Sequence, residues 1–317
     1  MNIKTQNHKR WTHVQLSDKW KKFLSRVAIS ITVLLSSLWA FWGIVENFHE
    51  GWYSRSIWEN LFMMFIQYMS LSIIFVILGL VALHWRKIGL GLFTIMAIFL
   101  AFFFSGGNLA VIGIMIVIPL VGLGLLFFFG RLPPKSVKRA RLAIIIVPLV
   151  VTIISGIPGA LRVSQRIDDG NYGMRTIEGN GITLVWAPSG PGWPDCGISW
   201  EEAQNRSVYL AENGTILMDI PQNIWRIPTV DEIVRSQCLH GVQVGGVWNN
   251  ITKMASYDKT PDKETPLWKV YSKVIYYWTG TEISESRAYY ITYAGIVYER
   301  DKQDAYAYLS FRAVKDP

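Results

Sequence analysis

Trp225-Arg226-Ile227-Pro228-Thr229-Val230-Asp231-Glu232 is the stretch from which the second half of this chain is read. Thr229 and Glu232 stand three apart. At that spacing the Thr hydroxyl can accept from the N–H of the third helical residue, while the Glu carboxylate reaches back to the Thr N–H. Pro228 disfavours helix at the residue before it, so Ile227 is expected to be extended. The spacing predicts an abrupt change from strand or loop into a short helix over 230–237.

Moving outward, Ser199-Trp200-Glu201-Glu202 repeats the capping pattern and opens a helix expected to run to about Glu212, stopping at Asn213-Gly214. Residues 182–186 are apolar and β-branched, a first strand, and 188–197 hold too many prolines and glycines for anything but a loop. A short apolar piece, 216–220, precedes the Pro221 turn. Residues 239–267 are expected to form a long irregular segment, followed by three strands over 274–281, 288–299 and 305–314. The last of these alternates Tyr306, Tyr308 and Ser310 against Ala307, Leu309 and Phe311. Two helices and an antiparallel sheet make an α+β domain over 182–317. A polar connector, 162–181, with the turn-forming Asp168-Asp169-Gly170-Asn171, leads into it.

The first half is of another kind. Five runs, 27–45, 61–83, 88–104, 109–129 and 142–161, contain no Asp, Glu, Lys, Arg or His. Each is near the roughly 20 residues that cross about 30 Å of hydrocarbon. The expectation is an α-helical membrane domain of five spans over 27–161, with 105–108 as a tight hairpin. The formal charge of +8 divides unevenly: residues 1–161 carry 15 basic and 4 acidic side chains, leaving 16 and 19 for 162–317. The tail 1–26 and the segments 84–87 and 130–141 hold all the basic residues of the first half except Arg55. By the positive-inside rule, the tail lies in the cytoplasm and the C-terminal domain lies outside it, periplasmic or extracellular. The basic half is also the apolar half, so the charge speaks for loops flanking a lipid bilayer and against nucleic acid as a partner. Ionisable groups inside the spans, the usual mark of ion-coupled transport, are lacking.

The order of Ser199-Trp200-Glu201-Glu202-Ala203, Trp225-Arg226-Ile227-Pro228-Thr229-x-x-Glu232, Tyr277-Trp278-Thr279-Gly280-Thr281 and Phe311-Arg312-Ala313-Val314-Lys315 resembles the Lcl C-terminal-like domain of bacterial collagen-like adhesins. That domain is a branch of the C-type-lectin-like superfamily, which also includes the formylglycine-generating enzymes. The resemblance covers Ser199 to Lys315 and departs from the pattern at Thr279-Gly280-Thr281 and at Lys315; the membrane block resembles no named family. It implies a C-type-lectin-like fold outside the cytoplasm, acting in a cell envelope as a binding or adhesion module. It also implies structural roles for Ser199, Trp200, Glu202, Trp225, Arg226, Pro228, Thr229, Glu232, Trp278 and Arg312. In such folds the irregular segment before the last strands forms the ligand face. This makes Trp248, Asn249, Asn250, Tyr257 and Trp268 the binding candidates, with the alternative that the two tryptophans fill a minor core.

Catalysis is not expected. The enzymatic branch needs a reactive cysteine pair near its last strands, whereas Cys196 and Cys238 flank the two helices. For these two, a disulfide and a pair of free thiols both stay open. Trp248-Asn249-Asn250 lacks the carboxylate that calcium prefers, and His240 beside Cys238 is too little for zinc, so neither metal nor cofactor is expected. The sequence thus predicts a multi-pass membrane protein that displays a non-catalytic domain for a glycan, an envelope polymer or a protein. The alternative is an accessory subunit whose partners are other membrane proteins.

Overall fold

The computed structural model describes residues 16–317 apart from Ser105, and of Leu109 only the backbone; the basic residues Lys4, Lys9 and Arg10 lie outside the described residues. The chain divides into two compact units, Met1–Val45 with Met64–Ile157, and Glu46–Met63 with Pro158–Pro317.

The helical segments are α1 (Asp18–Glu46), α2 (Ile57–Met63), α3 (Ser70–His84), α4 (Arg86–Phe103), α5 (Leu109–Ile112), α6 (Ile118–Phe129) and α7 (Pro134–Ser164). Among the described residues four helices are long and apolar enough to cross a membrane, and a fifth candidate is a pair bent by 60°, Ile57–Tyr68 with Ser70–His84. The run 61–83, expected as one straight helix, is therefore broken. Its wider turn over Met64–Tyr68 closes through Met69 N–H donating to the Met64 carbonyl at 2.8 Å. The polar residues there serve the break: the Ser70 hydroxyl donates to the Gln67 carbonyl at 3.4 Å, competing with the helical ladder. Gly43 of α1 makes room for it, because a Cβ at that position would strike the Tyr68 carbonyl. A second wide turn, Gly113–Val117, precedes α6. Pro119 lies in the first turn of α6; lacking an N–H, it cannot complete a regular turn over the residues before it.

Within this unit, small residues set how closely helices approach. A Cβ on Gly79 would come within 2.6 Å of Thr32, and one on Gly124 within 3.1 Å of Phe93. Phe75, Leu78, Phe93, Leu120, Leu123 and Phe127 fill the interior. Ser72 donates to the Ser36 carbonyl at 2.8 Å, joining α1 and α3 through a buried hydrogen bond.

The other unit carries β1 (Arg175–Glu178), β2 (Thr183–Trp186), α8 (Trp200–Tyr209), α9 (Val230–Arg235), β3 (Cys238–Leu239), β4 (Val242–Gln243), β5 (Val247–Asn249), β6 (Met254–Ser256), β7 (Tyr276–Glu282), β8 (Arg287–Thr292), β9 (Val297–Asp301), β10 (Leu309–Ser310) and β11 (Val314–Lys315). One sheet has the order β1-β2-β11 and another β10-β7-β8-β9, while β3-β4 and β5-β6 form two small hairpins. Several sequence expectations change here. The connector contains β1, which pairs with β2 from Arg175↔Trp186 to Glu178↔Thr183. The segment 239–267 is not featureless, since both small hairpins fall in or beside it. The strand 288–299, expected to be interrupted at Gly295, is a hairpin that turns there, with a φ of +79° that suits glycine. The expected strand 305–314 becomes β10, parallel to β7, and β11, antiparallel to β2.

The motif residues hold these pieces together. Thr229 caps α9 with both halves of its capping box present, the Glu232 carboxylate accepting from Thr229 N–H at 2.7 Å and the Thr229 hydroxyl from Glu232 N–H at 3.3 Å. Arg226 grips the same carboxylate with both terminal nitrogens at 2.7 Å, and its backbone bridges to Val314. Ser199 caps α8 by accepting from Glu202 N–H, but Glu202 turns to Arg206 instead of completing the box. Trp200 donates to the Thr279 carbonyl at 2.8 Å and Trp278 to the Ile198 carbonyl at 2.9 Å. Trp225 donates to the Ala211 carbonyl, and the Lys315 ammonium rests over the Trp225 ring. The Pro228 carbonyl accepts from Gly280 N–H at 2.7 Å, where a side chain would meet the Ile227 carbonyl.

Candidate functional site

Of the five residues expected on a ligand face, Trp248 and Trp268 are buried, Tyr257 is half-buried, and Asn249 and Asn250 are exposed. Trp268 is 1% exposed and lies flat on Tyr277, ring centres 4.0 Å apart and planes within 2°, with its indole N–H directed to Gln237 at 3.3 Å. Trp248 is buried edge-on against Tyr289 and donates to the Asn250 side chain at 2.8 Å. The Asn249 side chain accepts from Ile251 and Thr252 N–H, closing the turn between β5 and β6. Tyr257 donates to the Gly295 carbonyl at 2.9 Å, packing the second small hairpin against the β8–β9 turn. Both tryptophans therefore belong to the core, and Asn249, Asn250 and Tyr257 make the turns that close over it.

The segment 262–270 is the least exposed polar stretch of the unit. Asp262 takes both Arg166 Nε and Nη2, at 3.2 and 2.8 Å, and lies 3.6 Å from Arg162. Glu264 accepts from His240 N–H at 2.6 Å and faces the His240 ring at 3.2 Å. Lys269 donates to Ser189, the Trp193 carbonyl and Asp195. Lys263 is enclosed, donating to the Ser272 carbonyl; burial, helped by the charge of Arg166, pulls its amine down to about 7. Arg312 is fully buried and makes its hydrogen bonds to carbonyls rather than to an acid. It lies 3.5 Å over the Trp193 ring and donates to Ala187, Pro266 and Leu267.

The thiols are not bonded to one another: Cys196 is exposed, whereas Cys238 is buried on β3. Of the two states the sequence left open, the structure has the free thiols, one on the loop before α8 and the other on β3. Burial, and next the nearby Glu264 carboxylate, push the Cys238 thiol up to about 11, so it stays protonated and a poor nucleophile beside His240. Among the described residues no three His, Cys, Asp or Glu side chains gather as a metal site.

The open surfaces lie elsewhere. On β8 and β9 a groove of about 560 Å³ is lined by Arg287, Tyr290, Glu299, Arg300, Asp301 and Asp304. Trp278, Tyr290 and Tyr298 follow one another across β7, β8 and β9 in register, with ring centres 6.2 and 5.8 Å apart. The Arg300 guanidinium is held by Asp304 at 2.8 Å and lies 3.9 Å above the ring of Tyr306, which is itself half exposed, as is Tyr298. This juxtaposes flat aromatic faces with paired donors and acceptors, the combination that receives a sugar ring or anchors a protein side chain. Of its neighbours only Tyr306 carried a sequence signal, the alternation over 305–314; Tyr290 and Tyr298 carried none beyond an aromatic, β-branched strand. A second exposed surface is apolar: Ile216, Leu217, Met218 and Ile220 project from the turn between α8 and Trp225.

The chain matches no family model, and neither a curated protein nor a solved structure matches it.

Proposed function

We propose that this protein is a five-span protein of the cell membrane that presents a non-catalytic, C-type-lectin-like binding domain on the side opposite its basic loops. The groove lined by Arg287, Tyr290, Glu299, Arg300 and Asp304, with Tyr298 beside Tyr290 and Tyr306 under Arg300, is then the contact face for a glycan or envelope polymer. The observation that carries the reading is the groove wall at Arg300, whose charge is matched by Asp304 and whose guanidinium covers the half-exposed ring of Tyr306. Buried aromatics such as Trp268 have no free face to offer, whereas Tyr306 has one.

The sidedness rests on the charge asymmetry of the loops and on helices of membrane-crossing length. The lectin-like relationship rests on the four motif pieces meeting around the start of α9 and the end of β7. Two measurements test the proposal on the full chain. A reporter fused at Pro317 should be active only outside the cytoplasm, and protease added to spheroplasts should cut the sheet-bearing unit. Reconstituted in nanodiscs and offered envelope polysaccharides, the chain should lose about tenfold in affinity on Tyr306→Ala, the magnitude of one stacked aromatic. A cytosolic reporter, or binding indifferent to Tyr306, refutes it. The exposed apolar residues Ile216, Leu217, Met218 and Ile220 favour the second reading, an accessory subunit, and stoichiometric co-purification with a membrane partner would support it over the first.

A further inference from the structure

The final turns of two helices of membrane-crossing length, Asp18–Gly51 and Pro134–Ser164, fall within the sheet-bearing unit. With Val270 and Tyr271 they frame a cleft of about 240 Å³ whose apolar walls are Phe48, Trp52, Val163, Val270 and Tyr271. Its polar lining is Ser164 and Arg166, and the guanidinium of Arg166 is committed to Asp262. Two cations stand beside these walls, each on an aromatic face. The Arg55 guanidinium lies 5.5 Å from the centre of the Tyr271 ring, and the Lys273 ammonium 5.2 Å from that of Tyr53. Arg55 also faces Asp168 at 3.5 Å with most of its side chain in the open. Among the described residues Lys273 has no carboxylate at ion-pair distance.

We infer that this cleft holds one phospholipid, an acyl chain along the Phe48–Val270 walls and the phosphate between Arg55 and Lys273. The inference rests on the membrane reading of the helices. An apolar slot bounded by the ends of spanning helices opens at the depth where acyl chains meet headgroups. Tryptophan and tyrosine collect there because one end of each ring system is apolar and the other wet. Arginine offers a phosphate a planar pair of donors and lysine a compact charge, so a phosphodiester is met by both kinds of cation. Of the carboxylates on the elements that frame the cleft, Asp168 faces Arg55, Asp262 faces Arg162 and Arg166, and Glu46 faces the His49 ring. Lys273 thus adds the positive charge that favours an anionic headgroup over a zwitterionic one.

The test uses the full chain reconstituted into vesicles of equal parts phosphatidylcholine and phosphatidylglycerol, then stripped with mild detergent and weighed by native mass spectrometry. One phosphatidylglycerol should stay with each chain. Ala160→Phe, at an exposed position that lines the cleft, should cut retention by roughly tenfold, since it obstructs the acyl slot. Arg55→Gln with Lys273→Gln should abolish the preference for phosphatidylglycerol while leaving some lipid bound. Protease resistance of the variants, equal to the parent's, establishes that they fold. No retained lipid, or equal retention in Ala160→Phe, overturns the inference while leaving the membrane reading standing. Displacement of the lipid by inorganic phosphate alone also overturns it, because the chain-binding slot would then be idle. A chain that fails to float with the vesicles overturns both.

Discussion

Replacing Trp268 by alanine separates a core residue from a ligand contact. The indole is 1% exposed, stacks in parallel on Tyr277 at 4.0 Å and supplies the donor facing Gln237. Emptying a buried tryptophan site costs about 3–5 kcal/mol through lost transfer energy and the remaining cavity. The stack adds roughly 1 kcal/mol, and Gln237, left with an unpaired buried carbonyl, pushes the total to the upper end of the range. For a unit of this size each kcal/mol moves the midpoint by about 2–4 °C, so Trp268→Ala should lower the thermal midpoint by roughly 10–20 °C. Trp268→Phe keeps the ring stack and should recover more than half of that. The assay is protease susceptibility of the full chain in nanodiscs along a temperature ramp, read on the fragment pattern of the C-terminal unit. An unchanged midpoint together with lost ligand binding would refute the reasoning and return Trp268 to the binding face.

Lys263 gives a pH signature. Its buried amine titrates near 7, whereas the unfolded side chain titrates near 10.5, so between those values the unfolded chain binds more protons. Stability from this group should therefore rise with pH above about 7, be reduced in full below it, and lose that slope in Lys263→Met, as chemical denaturation at pH 6.5 and 8.5 would report. Glu232→Gln should cost about 1–3 kcal/mol in denaturant midpoint, because the capping box and the Arg226 pair fail together. Burial alone would raise the Glu232 carboxyl, but Arg226 and the Thr229 N–H override it and hold it low. Its contribution is thus present at neutral pH and lost in acid as pH falls through that lowered value. Under non-reducing conditions Cys196 should react rapidly with maleimide and Cys238 only after denaturation, counted by mass; mutual protection of both would mean a disulfide. Gly246→Ala should destabilise strongly by proteolysis, since its Cβ would run into the Val234 carbonyl at the end of α9.

Which parts of this molecule could be read in advance follows from the range of the forces involved. The Thr229–Glu232 box involves residues three apart and needs nothing else, so it was visible. The runs 88–104 and 109–129 are apolar throughout and became α4 and α5–α6. The bend at Met69 was not visible, because it depends on Gly43, far away in the chain, letting a carbonyl approach. Asp262-Lys263-Glu264 reads as a solvated turn; its burial is repaid by Arg166, Ser272 and His240, none of which its local sequence announces. Trp248 and Trp268 left two readings open, display or core, for the same reason in reverse: an aromatic in an irregular segment looks displayed until what covers it is known. At the candidate groove, the aromatic character of 288–299 was legible, but the pairing that sets Tyr290 beside Tyr298 was not.

The pairing of β2 with β11 sets an order of events. Trp186 meets Val314, a residue 128 positions later by their numbers (314 minus 186), and the same residue bridges to Arg226. Until the chain has delivered that far partner, β2 has only β1 beside it, and a two-stranded ribbon is marginal in water. The unit therefore cannot close piecemeal during synthesis, and the edge of β2 stays open until the last residues of the sheet arrive.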